Sequence, residues 1–200
     1  MNPAEAAANL KSRGRPRDEA LDDKITKVAL DELADHGYAG MSVDSVAQRA
    51  GVGKATIYRR YRDKADLVTA AIACQKMPAP PVQSEKTARE QLVALLERVQ
   101  TRMIDQGHIR TLMQILAEAE RNPELIALHR ERTIIARKAD LQAILQHGID
   151  EGEIRADIDR ALVGELCTGA WMSRYAIGNE FTGDWAEDVV AMIWSGIAAS

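Results

Sequence analysis

The sequence predicts an all-α protein: a small N-terminal helical module followed by a larger C-terminal helical bundle. Three observations carry that prediction. Ala, Leu, Ile, Glu and Arg dominate the composition while aromatics make up only 4%, a mixture that favours helices because most of these side chains lose little freedom there. Apolar residues recur three and four positions apart along most of the chain, and no segment of length shows the alternation of a half-buried strand. Residues that start and stop helices stand where those periodic stretches begin and end.

Taken in order, a first helix is expected over residues 18–36. Leu21, Ile25, Val28, Ala29 and Leu33 line one face and Gly37 supplies the stop. Ser42 caps a short helix through about Ala50, with Val43, Val46 and Ala47 inward, and Gly51-Val52-Gly53 breaks it. Another short helix follows over 54–61, and Asp63 caps a fourth that carries Leu67, Val68 and Ile72.

Within residues 77–82, Pro78, Pro80 and Pro81 remove backbone donors and fix φ, so no helix continues. That joint divides the chain into a basic arm (1–17), a helical module (18–76) and a second domain (84–200). Thr87-Ala88-Arg89-Glu90 has the spacing of a capping box and opens a long helix with Leu92, Leu95, Leu96, Val99 and Met103, ended by Gly107. A helix over 108–121 comes next. Asn122-Pro123-Glu124 then offers a cap, a first-turn proline and a first-turn acid to a helix lasting to about Gly148. The last two helices, about 158–178 and 184–198, are apolar over more than one face.

The net charge of −4 conceals a sharp division. Lys11, Arg13, Arg15 and Arg17 stand in the arm with no acid among residues 11–17. Arg49, Lys54, Arg59, Arg60, Arg62 and Lys64 stand against Asp63 alone over residues 49–64. From residue 71 onward there are 14 bases and 19 acids. Positive charge collected into two short stretches is the electrostatic footprint of phosphate binding.

Other classes find little support. No apolar run approaches the roughly 20 residues that span a bilayer, and the N-terminus lacks a signal-peptide core, so a cytoplasmic protein is expected. Cys74 and Cys167 have neither metal-ligand spacing nor a disulfide framework. Gly-rich phosphate loops, nucleophile elbows, zinc helices and paired-carboxylate sites are missing, so no enzyme and no cofactor are expected. His36, His108, His129 and His147 are scattered; His147 and Glu151 could share a helix face, but such a pair does not make a metal site.

The informative stretch is SVDSVAQRAGVGKATIYRRYRDK, residues 42–64. Two helices crossing steeply through a tight turn need a small residue at the crossing, Ala47, and one tolerant of positive φ in the turn, Gly51. Ile57, ten residues after Ala47, is placed to plug the crevice. Lys54, Thr56, Tyr58, Arg59 and Arg60 are then expected to project outward, offering cations and hydroxyls to phosphates and Arg or Thr to base edges.

These residues, with DELADHGYAGMSV before them, resemble the TetR/AcrR family of transcriptional regulators over about residues 18–72; the rest fits the family only in architecture. The resemblance implies a homodimer that grips a palindromic double-stranded DNA operator with a three-helix head and is released by a small-molecule effector. It also implies DNA contacts at Ser42, Lys54, Thr56, Tyr58, Arg59 and Arg60, and a phosphate contact at Lys64, which starts the helix linking head to body. At the recognition-helix cap this chain has Gly53 where many members have Ser, so only the backbone N–H remains for phosphate.

Arg13-Gly14-Arg15-Pro16-Arg17 resembles the core of an AT-hook, which lays arginines along a narrow minor groove; the alternative is a basic tail with general attraction for phosphate. In the second domain, Met103, Leu112, Met113 and Leu116, with Cys167, Trp171, Met172 and Tyr175, are candidates for lining an effector pocket or for ordinary core packing. Few aromatics and several Met suggest an apolar or amphipathic ligand. Gly164, Thr168 and Gly169 on the penultimate helix, with Trp185, Val189, Ile193 and Ile197 on the last, are expected to form a dimer interface. Control by a protein partner, and activation instead of repression, stay open.

Overall fold

The computed structural model describes residues 18–75 and 81–199, without the side chains at 105, 136 and 137. Ten α-helices are present among them: α1 Glu19–Gly40, α2 Val43–Ala50, α3 Lys54–Tyr58, α4 Lys64–Cys74, α5 Ala88–Gln100, α6 His108–Ala117, α7 Pro123–His129, α8 Ala136–Asp150, α9 Arg160–Ala176 and α10 Trp185–Ile197. The only strand-like pairing among the described residues is an isolated bridge between Ile154 and Ala198.

Local chemistry sets most of the boundaries. Ser42 and Asp63 accept from the backbone N–H of Ser45 and Asp66, and Thr87 and Glu90 form the reciprocal capping box. Gly37, at φ 67°, breaks the helical path inside α1. Asn122 behaves otherwise: its side chain makes no cap and instead donates to Glu118 at 2.7 Å, leaving Pro123 to open α7.

The single helix expected from 122 to 148 is interrupted. Residues Arg130–Ile135 widen into a π-helical turn between α7 and α8, and Thr101–Asp105 does the same after α5. Turns of this kind gather at functional sites.

Two hydrophobic cores form. The first joins α1–α4 through Ile25, Leu33, Val46, Ile57, Leu67 and Val68, and draws in Ile115 of α6 and Leu125 of α7. Head and second domain are thus packed together through α4 and α1. The second core gathers Leu92, Leu96, Leu145, Val163, Trp171 and Val190 from α5 and α8–α10.

Gly148 marks the tightest approach in that second core. A Cβ there would lie 2.6 Å from the Ala88 Cβ and 2.6 Å from the Ile154 Cδ1. Ile154 has rotamers to yield with, whereas Ala88 is fully buried and has none. Gly148→Ala should therefore lose stability: overpacking costs about 1–3 kcal/mol, outweighing a helix-propensity gain of at most about 1 kcal/mol. A denaturant midpoint equal to or above the parent's would show that α8 and α5 can separate freely.

Candidate nucleic-acid interface and cavity

The crossing of α2 and α3 is built as the small residues require. Gly51 takes the left-handed conformation (φ 66°, ψ 35°) and Val52 N–H returns to the Ala47 carbonyl at 3.0 Å. Ala47 and Ile57 are buried in one core. Of the α3 residues only Ile57 is buried, so Lys54, Tyr58 and Arg59 face outward and Tyr58 is 47% exposed. The Arg59 guanidinium donates to the Thr56 hydroxyl at 3.2 Å, which steadies its fork. The Lys54 ammonium sits 2.7 Å from Asp44 across the turn and 5.9 Å from the Tyr58 ring centre. Gly53, at the N-cap, has no side-chain cap and open space where a Cβ would stand.

Arg60 and Lys64, also expected at the DNA, are engaged within the head itself. Arg60 does not project outward: its Nε donates to Asp22 of α1 at 2.6 Å, with both side chains only 17% exposed. Lys64 donates to the Tyr38 and Met41 carbonyls at 2.7 and 3.2 Å and lies 4.4 Å from the Tyr38 ring centre. Burial pushes its ammonium below the ordinary lysine value. It therefore pins the 38–41 connection that aims α2. Arg13, Arg15 and Arg17 lie outside the described residues.

A second ion pair braces the same unit. Arg49 of α2 donates to the buried Glu32 of α1 at 2.7 Å. Burial alone would push the Glu32 carboxyl up, but hydrogen bonds from Arg49 and Ser45, helped by the Arg49 charge, hold it below the usual value. A depressed carboxyl contributes stability above its unfolded pKa of about 4.3 that is lost as pH falls through the folded value. Glu32→Gln should thus remove part of the acid-limb slope of stability, read as melting temperature against pH from neutral to strongly acid. An unchanged slope would assign acid unfolding to other carboxylates.

The pocket candidates separate. Met103 and Leu112 line a cavity of about 20 Å³ together with Ile72 and Gln75 of α4 and with His108, Thr111 and His129. Cys167 and Trp171 are packed in the second core, and burial pushes the Cys167 thiol up to about 11. Met113 and Met172 pack at that core's edge. Leu116 and Tyr175 do not face inward; they are 38% and 39% exposed.

The dimer candidates divide as well. Trp185 and Ile197 belong to the core of their own chain, and Gly164 faces Leu141 of α8. Thr168 is exposed on α9, its hydroxyl donating to the Gly164 carbonyl, and Gly169 is open. Val189 and Ile193 are half-buried. Exposed apolar groups between α9 and α10 are instead Leu162 and Leu166, about half exposed, and Met192, 79% exposed. With Ile193 they line a groove of about 340 Å³ between α9 and α10. Periodicity located the apolar helices without distinguishing their inner and outer faces.

A helix-turn-helix with an exposed recognition helix, packed through α4 onto an all-helical domain, defines a DNA-binding transcriptional regulator. Residues 25–71 match "Bacterial regulatory proteins, tetR family", and residues 82–193 match "Tetracyclin repressor-like, C-terminal domain". An uncharacterised HTH-type transcriptional regulator of Mycobacterium tuberculosis (strain ATCC 25618 / H37Rv) is 35% identical over 158 residues, covering 78% of this chain and 76% of its own. The DNA-binding transcriptional repressor TetR of Mycobacteroides abscessus is 28% identical, over 91% of this chain and 96% of its own.

Among solved structures, a TetR regulator from Agrobacterium tumefaciens superimposes with a TM-score of 0.73 at 17% identity, over 90% of this chain and 95% of that one. FadR from Bacillus subtilis, in complex with stearoyl-CoA, gives 0.61 at 20% identity, over 87% and 98%. A regulator from Saccharomonospora viridis in complex with choline gives 0.62 at 19%, over 92% and 100%. The chain belongs to the TetR family of transcriptional regulators, a non-enzymatic class. Among the described residues no helix is long and apolar enough to cross a membrane.

Proposed function

We propose that the protein is a homodimeric repressor that binds a palindromic operator and is released from it by a small amphipathic molecule. The observation that carries this reading is the division of α3: Ile57 holds the helix to the core while Lys54, Tyr58 and Arg59 stay exposed together. Thr56 and Arg59 read base edges, Tyr58 and Lys54 hold phosphate, and the backbone at Ser42 and Gly53 supplies further donors. Arg60 and Lys64 act through positioning. The arm with Arg13, Arg15 and Arg17 extends the grip into the minor groove.

The apolar groove at Leu162, Leu166 and Met192 receives the second copy. A two-fold there sets the two recognition helices about one DNA turn apart, roughly 34–36 Å. Repression is favoured by the M. abscessus relative, and a small-molecule effector by the two liganded neighbours.

Sequencing DNA selected by the purified protein tests the first half. The expected product is an inverted repeat with A·T-rich flanks; a single unrepeated site would overturn the dimeric reading. Screening a metabolite library for release of that DNA tests the second half. A library with no releasing compound would leave control to a protein partner.

A further inference from the structure

The helix that joins head to body, α4, is held by two arginines, one from each π-helical turn. Arg132, in the turn Arg130–Ile135, grips the N-terminal half of α4: it donates to the Asp66 carbonyl and the Thr69 hydroxyl, each at 3.0 Å, and pairs with the Asp66 carboxylate. Arg102, in the turn Thr101–Asp105, reaches the other end and donates to the carbonyl of Gln75, the C-cap of α4. Its Nε donates to His108 Nδ1 at 3.2 Å.

The two contacts differ in kind. Arg132 is matched by a carboxylate. Arg102 is half-buried and donates to a backbone carbonyl and an imidazole nitrogen, and among the described side chains no carboxylate pairs with it. Burial pushes its guanidinium below the ordinary value. Gln75 and His108, the two groups it holds, are both walls of the cavity. That cavity is apolar at Ile72, Met103 and Leu112 and polar at Gln75, Thr111 and the two imidazoles. Its present volume of about 20 Å³ admits one water.

We propose that the effector carries a carboxylate and that Arg102 reads it, giving up the Gln75 carbonyl for the ligand's carboxylate and so freeing the C-terminal end of α4. This rests on the reading of the second domain as a small-molecule sensor and adds the ligand's chemical class and the group that couples it to the head. A carboxylate accepts two parallel bonds from a guanidinium and outcompetes a backbone carbonyl. The apolar chain of the ligand spreads the cavity between α4 and α6. Arg132 keeps its grip, so α4 pivots about Asp66 and carries the head with it.

The test measures release of the selected DNA by a ladder of straight-chain carboxylates, with alcohols and quaternary ammonium salts of matching length. Carboxylates should release it at concentrations lower by about tenfold or more than the alcohols. Arg102→Gln should remove that preference, and Arg102→Lys, a point charge without the fork, should keep part of it. Arg132→Gln removes the pivot without touching the cavity, so release by acids and alcohols should weaken together while their ratio stays at the parent's. A folded Arg102→Gln protein still selecting carboxylates, a loss of the acid-to-alcohol ratio in Arg132→Gln equal to that in Arg102→Gln, or alcohols acting as well as acids would overturn the proposal. Release only by uncharged or cationic library compounds would overturn it too while leaving the small-molecule reading intact.

Discussion

Replacing Leu166 with Glu is expected to give a folded monomer that has lost nearly all operator affinity. In a single chain Leu166 is 51% exposed, so its own core does not need it. With Leu162 and Met192 it instead forms the apolar groove assigned to the second copy. A Glu carboxylate buried in that contact would add a desolvation cost to the lost apolar area, of which each buried side chain contributes roughly 1.5–3 kcal/mol. Separating the half-site readers removes their effective concentration for one another, a factor on the order of 100 to 10,000 in DNA affinity. Sedimentation and operator binding read both effects. A stable Leu166→Glu dimer would move the interface off α9 and α10.

Arg59→Ala is expected to weaken operator binding by about 1–3 kcal/mol at each half-site and to relax preference at one base position, with the fold untouched. Its side-chain contact is local, the guanidinium donating to the Thr56 hydroxyl three residues back, so truncation leaves the packing of the head intact. Arg60→Ala, one residue on, should behave in the opposite way. It removes the pair with Asp22, costing about 1–3 kcal/mol of stability, and weakens all DNA sequences together because α3 is no longer braced against α1. Thermal melting beside binding to a panel of single-base operator variants separates the two. Altered base preference in Arg60→Ala with unchanged melting would return that side chain to the DNA.

The helix-turn-helix was legible because its determinants are local. Ser42 and Asp63 cap within three residues, Gly51 takes the left-handed turn, and Ala47 and Ile57 sit at fixed spacing in the crossing. The capping box at Thr87 and Glu90 and the left-handed stop at Gly107 belong to the same class. Each depends on backbone geometry that a few neighbouring residues determine, so spacing alone suffices.

The tertiary structure decided where long polar side chains and two-faced apolar helices turn. Arg60 and Lys64 have the reach to meet phosphate, yet their partners, Asp22 and the Tyr38 and Met41 carbonyls, come from α1 and the connection after it, which only folding brings near. Trp185 and Ile197 went inward, and Leu162, Leu166 and Met192 outward, because α9 and α10 are apolar on more than one face and periodicity cannot rank the faces. The two π-helical turns have no glycine or proline to announce them. Each carries an arginine to α4, and contacts so distant in sequence are set by packing, whereas caps and turns are set by the residues beside them.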